Sequence, residues 1–396
     1  MRKKSLSAFF IASLFCLVSL HAQPFTKKYI MAFLSCDSTC TGPQDHKVHL
    51  AESDDGTAWS AVPNFPVYNG SVPDPVIRGN KLYLYTPGKV RRYDNGTGTW
   101  DPAPSMVSIV DTAGNAVQFV DPSAIVDSSG NIVLFFLNST GSTTDPAVCT
   151  SYPCVKHFDS AIEVPSSDGT QFVMVPGDRY SLTLNSGSAS DPDIFFDGTQ
   201  YILYISRGAQ LEAAHSSSLQ GTYTDFSSLP GGIISPQGGI GCGYYDALSA
   251  QYWTYTHTNL SGNTVIRQSV HSGFSSQISS YSTVVSAATI GQPASTTTES
   301  PGFCANTFPT FVEEYPQDIL HGNFFPDPVS GISYLRLDRP VSNATLVISD
   351  VSGRIVKTAA FSGTEISLDC SMLQSGIYFY TLAAEDGSLR GKFLVN

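Results

Sequence analysis

The chain has 396 residues, 41% of them apolar and 14% charged, with 33 Gly, 24 Pro and a formal charge of −12. Globular proteins average about 25% charged residues, so this low charge, beside abundant Ser, Thr, Gly and Tyr, describes an exported β-rich protein and excludes disorder and coiled coil. Its 33 acidic residues oppose only 21 basic ones, without the clustered cations that binding a phosphate backbone demands, which sets nucleic acid aside.

At the N-terminus Arg2, Lys3 and Lys4 precede an apolar stretch from Ala8 to Leu20 and the small residue Ala22. This is the pattern of a secretory signal peptide over residues 1–22. The stretch is shorter than the roughly 20 residues a spanning helix needs, and no other segment predicts a membrane crossing once the signal is removed. Export places Cys36, Cys40, Cys149, Cys154, Cys242, Cys304 and Cys370 in an oxidising compartment. The close spacings predict the short bridges Cys36–Cys40 and Cys149–Cys154, with either Cys304 or Cys370 open to Cys242. No paired CxxC sets or His partners with ligand spacing accompany them, so no metal and no cofactor are expected.

Five hydrophobic runs follow: YIMAFLS from Tyr29, VIRGNKLYLY from Val76, SAIVDSSGNIVLFFL from Ser123, DIFFDGTQYILYIS from Asp193 and GYYDALSAQYWTYTH from Gly243. Each leads to an outer turn with a glycine and an aromatic residue just after it, as in Gly56 with Trp59, Gly96 with Trp100 and Gly169 with Phe172. A repeat of this kind predicts a five-bladed β-propeller over residues 25–282, each run an inner hairpin. The almost unbroken apolar character of NIVLFFLN and QYILYIS suits strands covered on both faces.

Residues 283–322 turn Ser/Thr/Pro-rich, as in ASTTTESPGF and EEYPQDILHG, and read as a linker. Beyond them, residues 323–396 carry the strand runs ISYLRLD, ATLVISD, RIVKTAAF, EISLDC, GIYFYTLAA and LRGKFLVN, an Ig-like sandwich by strand count. The motifs FPDPVSG, VISDVSGRIVKT, LQSGIYFYTL and the terminal GKFLVN resemble the C-terminal sorting domain of type IX secretion cargo. That resemblance implies a bacterial protein whose terminal sandwich is an address read by the type IX machinery at the outer membrane. The cargo is then released or held at the surface.

Three strand entries carry Asp-Pro: Asp74 in SVPDPVI, Asp121 in FVDPSAI and Asp191 in SDPDIFF. Inner strands of a propeller start near its axis, so these carboxyls are expected to converge, as glycoside hydrolysis requires. The alternative reading makes each Asp-Pro an extended strand entry whose carboxylate accepts backbone N–H bonds. Together with the Ser53 turn and the run SRGAQLEAAHSSSLQGTYTDF, the Asp-Pro entries resemble the five-bladed glycosidases of the arabinanase and β-xylosidase clan. The resemblance implies Asp74 as base and Asp121 as the residue tuning the acid. Where the clan has a Glu acid this chain has Asp191, with Asp193 beside it, and Glu163 and Glu212 are the other acids in blade context. Tyr244 and Trp253 are candidates for stacking on sugar rings. The expectation is an exported propeller that acts on or binds a polysaccharide or oligosaccharide, the alternative being a non-catalytic glycan-binding or surface-interaction propeller.

Overall fold

The computed structural model describes residues 25–260, 263–308, 320–351, 354–384 and 387–396. The signal segment over 1–22 and part of the expected linker, 309–319, lie outside the described residues. Among the described residues there is no α-helix, and no helix is long and apolar enough to cross a membrane. The chain divides into two compact units, residues 1–309 and 310–396.

The first unit is a five-bladed propeller. Blade 2 runs outward through Asp74–Arg78, Lys81–Thr86, Lys89–Asp94 and Thr99–Trp100, and blade 3 through Phe119–Val126, Ile132–Asn138, Cys154–Glu163 and Gln171–Met174. Blade 4 is Ser190–Phe196, Tyr201–Arg207, Gln210–Ser216 and Thr224–Asp225; blade 5 is Gly241–Asp246, Gln251–Leu260, Asn263–His271 and Ser282–Val285. Blade 1 is assembled from both ends of the unit: Thr297–Ala305 is its innermost strand, followed by Tyr29–Cys36, Lys47–Ser53 and Ser60–Ala61.

Blade 1 corrects the sequence reading twice. YIMAFLS is its second strand, with Tyr29 opposite Ala305 and Cys36 opposite Thr297. The stretch read as linker supplies the outer strand of blade 5 and the inner strand of blade 1, so the propeller continues to residue 305 rather than ending at 282. Thr-rich sequence misleads here because Thr is polar yet β-branched and suits a strand.

The blades bury their faces in five wedges. In Ile132–Asn138, Ile132, Leu134 and Phe136 pack toward blade 2 while Val133, Phe135 and Leu137 pack toward blade 4. Likewise Ile202 and Tyr204 face blade 5, and Leu203 and Ile205 face blade 3. An unbroken apolar run is what a period of two gives when both faces are covered. Both short disulfides form, Cys36–Cys40 and Cys149–Cys154, whereas Cys242, Cys304 and Cys370 are free thiols.

The second unit is a β-sandwich of Gly322–Phe325, Ile332–Ser349, Ile355–Asp369, Gly376–Ala384 and Gly387–Val395 around Leu335, Leu346, Leu382 and Phe393. ISYLRLD and ATLVISD belong to one strand whose register breaks between Arg336 and Ala344. RIVKTAAF and EISLDC share the next.

Two truncations separate the observed boundary from the expected one. A chain ending at Pro309 should melt cooperatively as an intact propeller. A chain ending at residue 282 lacks the inner strand of blade 1 that pairs with Tyr29–Cys36 and should show no cooperative transition by circular dichroism. Equal melting of the two would remove Thr297–Ala305 from the fold.

Candidate functional site

Each inner strand is paired along one edge only, and its other edge faces the axis. The entries to the five strands repeat one local pattern: Val72-Pro73-Asp74, Asp121-Pro122-Ser123, Asp191-Pro192-Asp193, Ile240-Gly241-Cys242 and Ser300-Pro301-Gly302. All of these residues except Cys242 and Gly302 line an axial cavity of about 30 Å³, room for a water or two.

This pattern shifts the register of the candidates. Asp74 follows its axial proline, Pro73, and so occupies the level of Ser123 and Asp193, not that of Asp121 and Asp191. The sequence reading keyed on Asp74-Pro75, but Pro75 lies one step further into the strand. The residue before each axial proline is not extended either: Val72, Asp121, Asp191 and Ser300 have φ of 40°, 53°, 48° and 52°. Non-glycine residues rarely enter this left-handed region, and such strain is held where the surroundings impose it, often at functional sites.

The deeper level is structural in its bonding. The N–H of Ala124 donates to Asp74 Oδ2 at 2.6 Å, that of Ile194 to Ser123 Oγ at 3.2 Å, and that of Gly243 to Asp193 Oδ2 at 2.9 Å. Each bond runs from one blade to the next and satisfies an axis-facing donor that would otherwise be buried unpaired. Between blades 1 and 2 the pattern has no bond to make, because Pro75 has no N–H and Gly302 has no side chain. A Cβ at Gly302 would stand 2.5 Å from the Pro73 carbonyl oxygen and 2.7 Å from Asp74 Oδ1.

The level nearer the opening is less engaged. Asp121 is half-buried and accepts the Asp191 N–H at Oδ2, 3.3 Å. Asp191, 8% exposed, accepts the Ser190 hydroxyl at Oδ2, while its Oδ1 is buried without a partner. Burial raises the pKa of all four carboxyls. Asp191 is pushed up to about 6 and Asp193 to about 7. Asp74 and Asp121 lie well above the ordinary range, the charges of Asp193 and Asp191 adding to their burial. No Lys, Arg or His is among the residues lining this cavity to offset them.

The remaining candidates lie elsewhere. Glu163 sits between blades 2 and 3, paired with Arg78 and accepting the N–H of Gly169 at 2.6 Å. Glu212 is paired with Arg207 and accepts the Tyr180 hydroxyl. Trp253 is packed against Tyr29 and Tyr244 in the wedge between blades 5 and 1, so the two proposed stacking residues stack on each other's cluster. Of the two, Trp253 is buried and Tyr244 half-buried.

One acidic residue escaped the sequence reading. Glu299 immediately precedes Ser300 of the cavity wall and is half-buried. Its signal was the echo of VPDP, VDPS and SDPD in ESPG, hidden in a stretch read as linker.

Residues 323–396 match the secretion system C-terminal sorting domain. The chain is thus cargo of a type IX route in a Gram-negative bacterium, destined for the cell surface or the medium. No curated protein sequence matches it. Among solved structures it is similar to an endo-1,4-beta-xylanase from Bacteroides thetaiotaomicron, at 12% identity over 65% of this chain and 92% of that one, with a TM-score of 0.40. A GH43_12 protein from a capybara gut metagenome gives 11%, 93% and 95%, with a TM-score of 0.35, and a thermostable family-43 glycoside hydrolase gives 10%, 66% and 96%, with 0.37.

The raised axial carboxyls make stability depend on pH in a set direction. Unfolded aspartates titrate near 3.9, so between about pH 4 and 7 the folded chain holds protons that the unfolded chain has released. The stability this confers is complete below about pH 4 and is lost as pH rises through about 7. Asp193→Asn should therefore gain stability relative to wild type between pH 4 and pH 8, by on the order of 4 kcal/mol for a pKa raised from near 3.9 to about 7. A difference independent of pH in thermal melts would show that Asp193 does not titrate there.

Proposed function

We propose that this exported propeller acts on a carbohydrate at the axial opening, with Asp121 and Asp191 as its acid/base unit. The observation that carries the reading is that two carboxyl residues from successive blades line one opening, Asp121 Oδ2 accepting the Asp191 backbone N–H, with Asp191 Oδ1 buried and unpartnered. Two carboxyls held this close ionise one after the other rather than together. Over the intervening pH range one is a neutral acid and the other a carboxylate, which is the division of labour that hydrolysis of a glycosidic bond needs. A sugar is too large for the cavity and would rest over the opening, its hydroxyls and bridging oxygen turned toward this pair. Asp191, the lower of the two at about 6, ionises first and serves as the carboxylate, and its charge helps burial keep Asp121 the neutral acid.

A second reading is favoured by one specific observation: among the described residues no Glu lines the axial cavity. On that reading the same carboxyls accept hydrogen bonds from sugar hydroxyls, and the propeller binds a surface or environmental glycan without cleaving it.

Screening the purified chain against xylan, arabinan and galactan oligosaccharides decides between them. Turnover in the wild type should fall by at least about 100-fold in Asp191→Asn and in Asp121→Asn, with melting temperatures close to wild type. Binding by calorimetry with no new reducing ends would leave the non-catalytic reading. Neither binding nor turnover on any glycan would remove both.

A further inference from the structure

A second and larger cavity, of about 280 Å³, lies at the other end of the inner strands. The inner strand of blade 2 leaves the axis at Asp74 and ends at Arg78, roughly 13 Å further on at about 3.3 Å per residue. Arg78 lines this cavity with Asn131, from the inner hairpin turn of blade 3, and with Glu163, Ser166 and Asp168 around the outer turn of that blade. The cavity therefore lies in the groove between blades 2 and 3, at the strand ends remote from the axial opening.

The charges around it are already matched. Arg78 is paired with Glu163, a buried carboxylate that also accepts the N–H of Ile132 at 3.2 Å and that of Gly169 at 2.6 Å. Asp168 lies 3.8 Å from Arg78, 2.9 Å from Lys81 and 3.2 Å from Arg92, and Arg92 reaches Asp101 at 2.7 Å. Arg78, Lys81 and Arg92 thus balance Glu163, Asp168 and Asp101 in one network, and a charged ligand would have to break part of it. Neutral hydrogen-bonding capacity is what the wall leaves over. Asn131 donates through Nδ2 to Asp127 at 3.2 Å, and among the described residues no hydrogen bond engages its Oδ1 or the Ser166 hydroxyl. Pro165 alone among the lining side chains is apolar.

The wall is also fixed in advance. Ser166 and Asp168 are held in the left-handed region, at φ of 64° and 52°, by a turn whose Gly169 is bonded to Glu163 and seated on blade 2. A Cβ on Gly169 would stand 2.6 Å from the Tyr85 hydroxyl oxygen and 2.8 Å from the Tyr83 ring. A site built this way spends little on ordering its own groups when a ligand arrives.

We propose that this groove is a second carbohydrate site, which holds a neutral sugar unit of a glycan chain without cleaving it. A sugar hydroxyl both donates and accepts, so neighbouring hydroxyls of one ring can meet Asn131 Oδ1, Ser166, Asp168 and Arg78 together while bringing no charge. The volume is near the lower end of small-molecule sites, about 300 Å³, which suits a small unit of the chain. Glu163, locked in its ion pair and two backbone bonds, is a structural anchor here and supplies no proton. The site shares its ligand class with the axial reading but none of its residues. A long glycan or a glycan surface engaged at both ends of the propeller is bound more tightly than at either site alone.

The test uses the full-length chain carrying Asp121→Asn and Asp191→Asn, which takes the axial acid/base unit out of play. Calorimetry with xylan, arabinan and galactan oligosaccharides should still detect binding. Adding Asn131→Ala and Ser166→Ala should weaken it at least about 10-fold, the effect of losing two neutral hydrogen bonds. The bound oligosaccharide should slow hydrogen exchange over residues 163–171, and should not once those two side chains are removed. An affinity changed less than about twofold by their removal, against that expectation, overturns the inference. Binding by the wild type that vanishes with Asp121→Asn and Asp191→Asn also overturns it and leaves the axial reading standing. A wild type that turns nothing over, yet binds and loses that binding with Asn131→Ala and Ser166→Ala, removes the hydrolytic reading and supports this site. No binding by any of these chains overturns the inference. Unchanged melting curves show that a loss of binding is not a loss of fold.

Discussion

The propeller depends on how it satisfies the free edges of its inner strands. Five strands point one unpaired edge at a common axis, and buried backbone donors left without acceptors cost about as much as lost hydrogen bonds. The chain meets this with side chains placed one residue after each axial proline: Asp74, Ser123 and Asp193 each accept an N–H from the next blade. Where the next blade offers Pro75, with no donor, the side chain opposite is reduced to Gly302, whose missing Cβ is also what lets the blades meet. Acidic residues on the axis are thus first an answer to a bonding problem. Burying them raises their pKa, so the chemistry available at the axis follows from the architecture.

The same constraint explains why closure of the ring matters. Blade 1 has an inner strand only because Thr297–Ala305 returns to pair with Tyr29–Cys36, some 260 residues away in sequence. The strand that closes the ring also carries Ser300 and Gly302 to the axis. Fold and site are therefore completed by the same nine residues, immediately before the chain passes to a separate sorting sandwich with its own core.

Much of this was legible in the sequence. Runs such as NIVLFFLN announce strands buried on both faces, and alternate side chains do pack toward different neighbours. The short cysteine spacings gave the right pairs, and the sorting motifs lie within the matched residues 323–396. What failed did so for local reasons. In VPDP two prolines flank Asp74, and reading Asp74-Pro75 as the unit displaced it by one level on the axis. In TTTESPGF hydroxyl-bearing residues masked a strand, and Glu299 went with it. Trp253 and Tyr244 are both readable as ligand platforms because aromatic residues serve both interiors and binding sites; in the structure Trp253 is buried between blades 5 and 1 and Tyr244 is half-buried against it.

The two levels of the axis divide labour by a spacing of two residues. After three of the four prolines, the side chain is within reach of the next blade's N–H and is consumed by it. Before each proline, the residue is forced into the left-handed region at Val72, Asp121, Asp191 and Ser300, which turns its side chain away from the strand ladder. At that upper level bonding is incomplete, as the partner-free Asp191 Oδ1 records, and the strain is maintained only because the four prolines and the wedge cores fix the strands on either side. Removing a carboxyl from the lower level takes away an acceptor that holds two blades together, and the cost falls on stability. Removing one from the upper level breaks little that holds the fold, so the cost falls on whatever ligand meets the opening. Asp74 and Asp121, which the sequence pattern treats as equivalent, belong to different sides of that division.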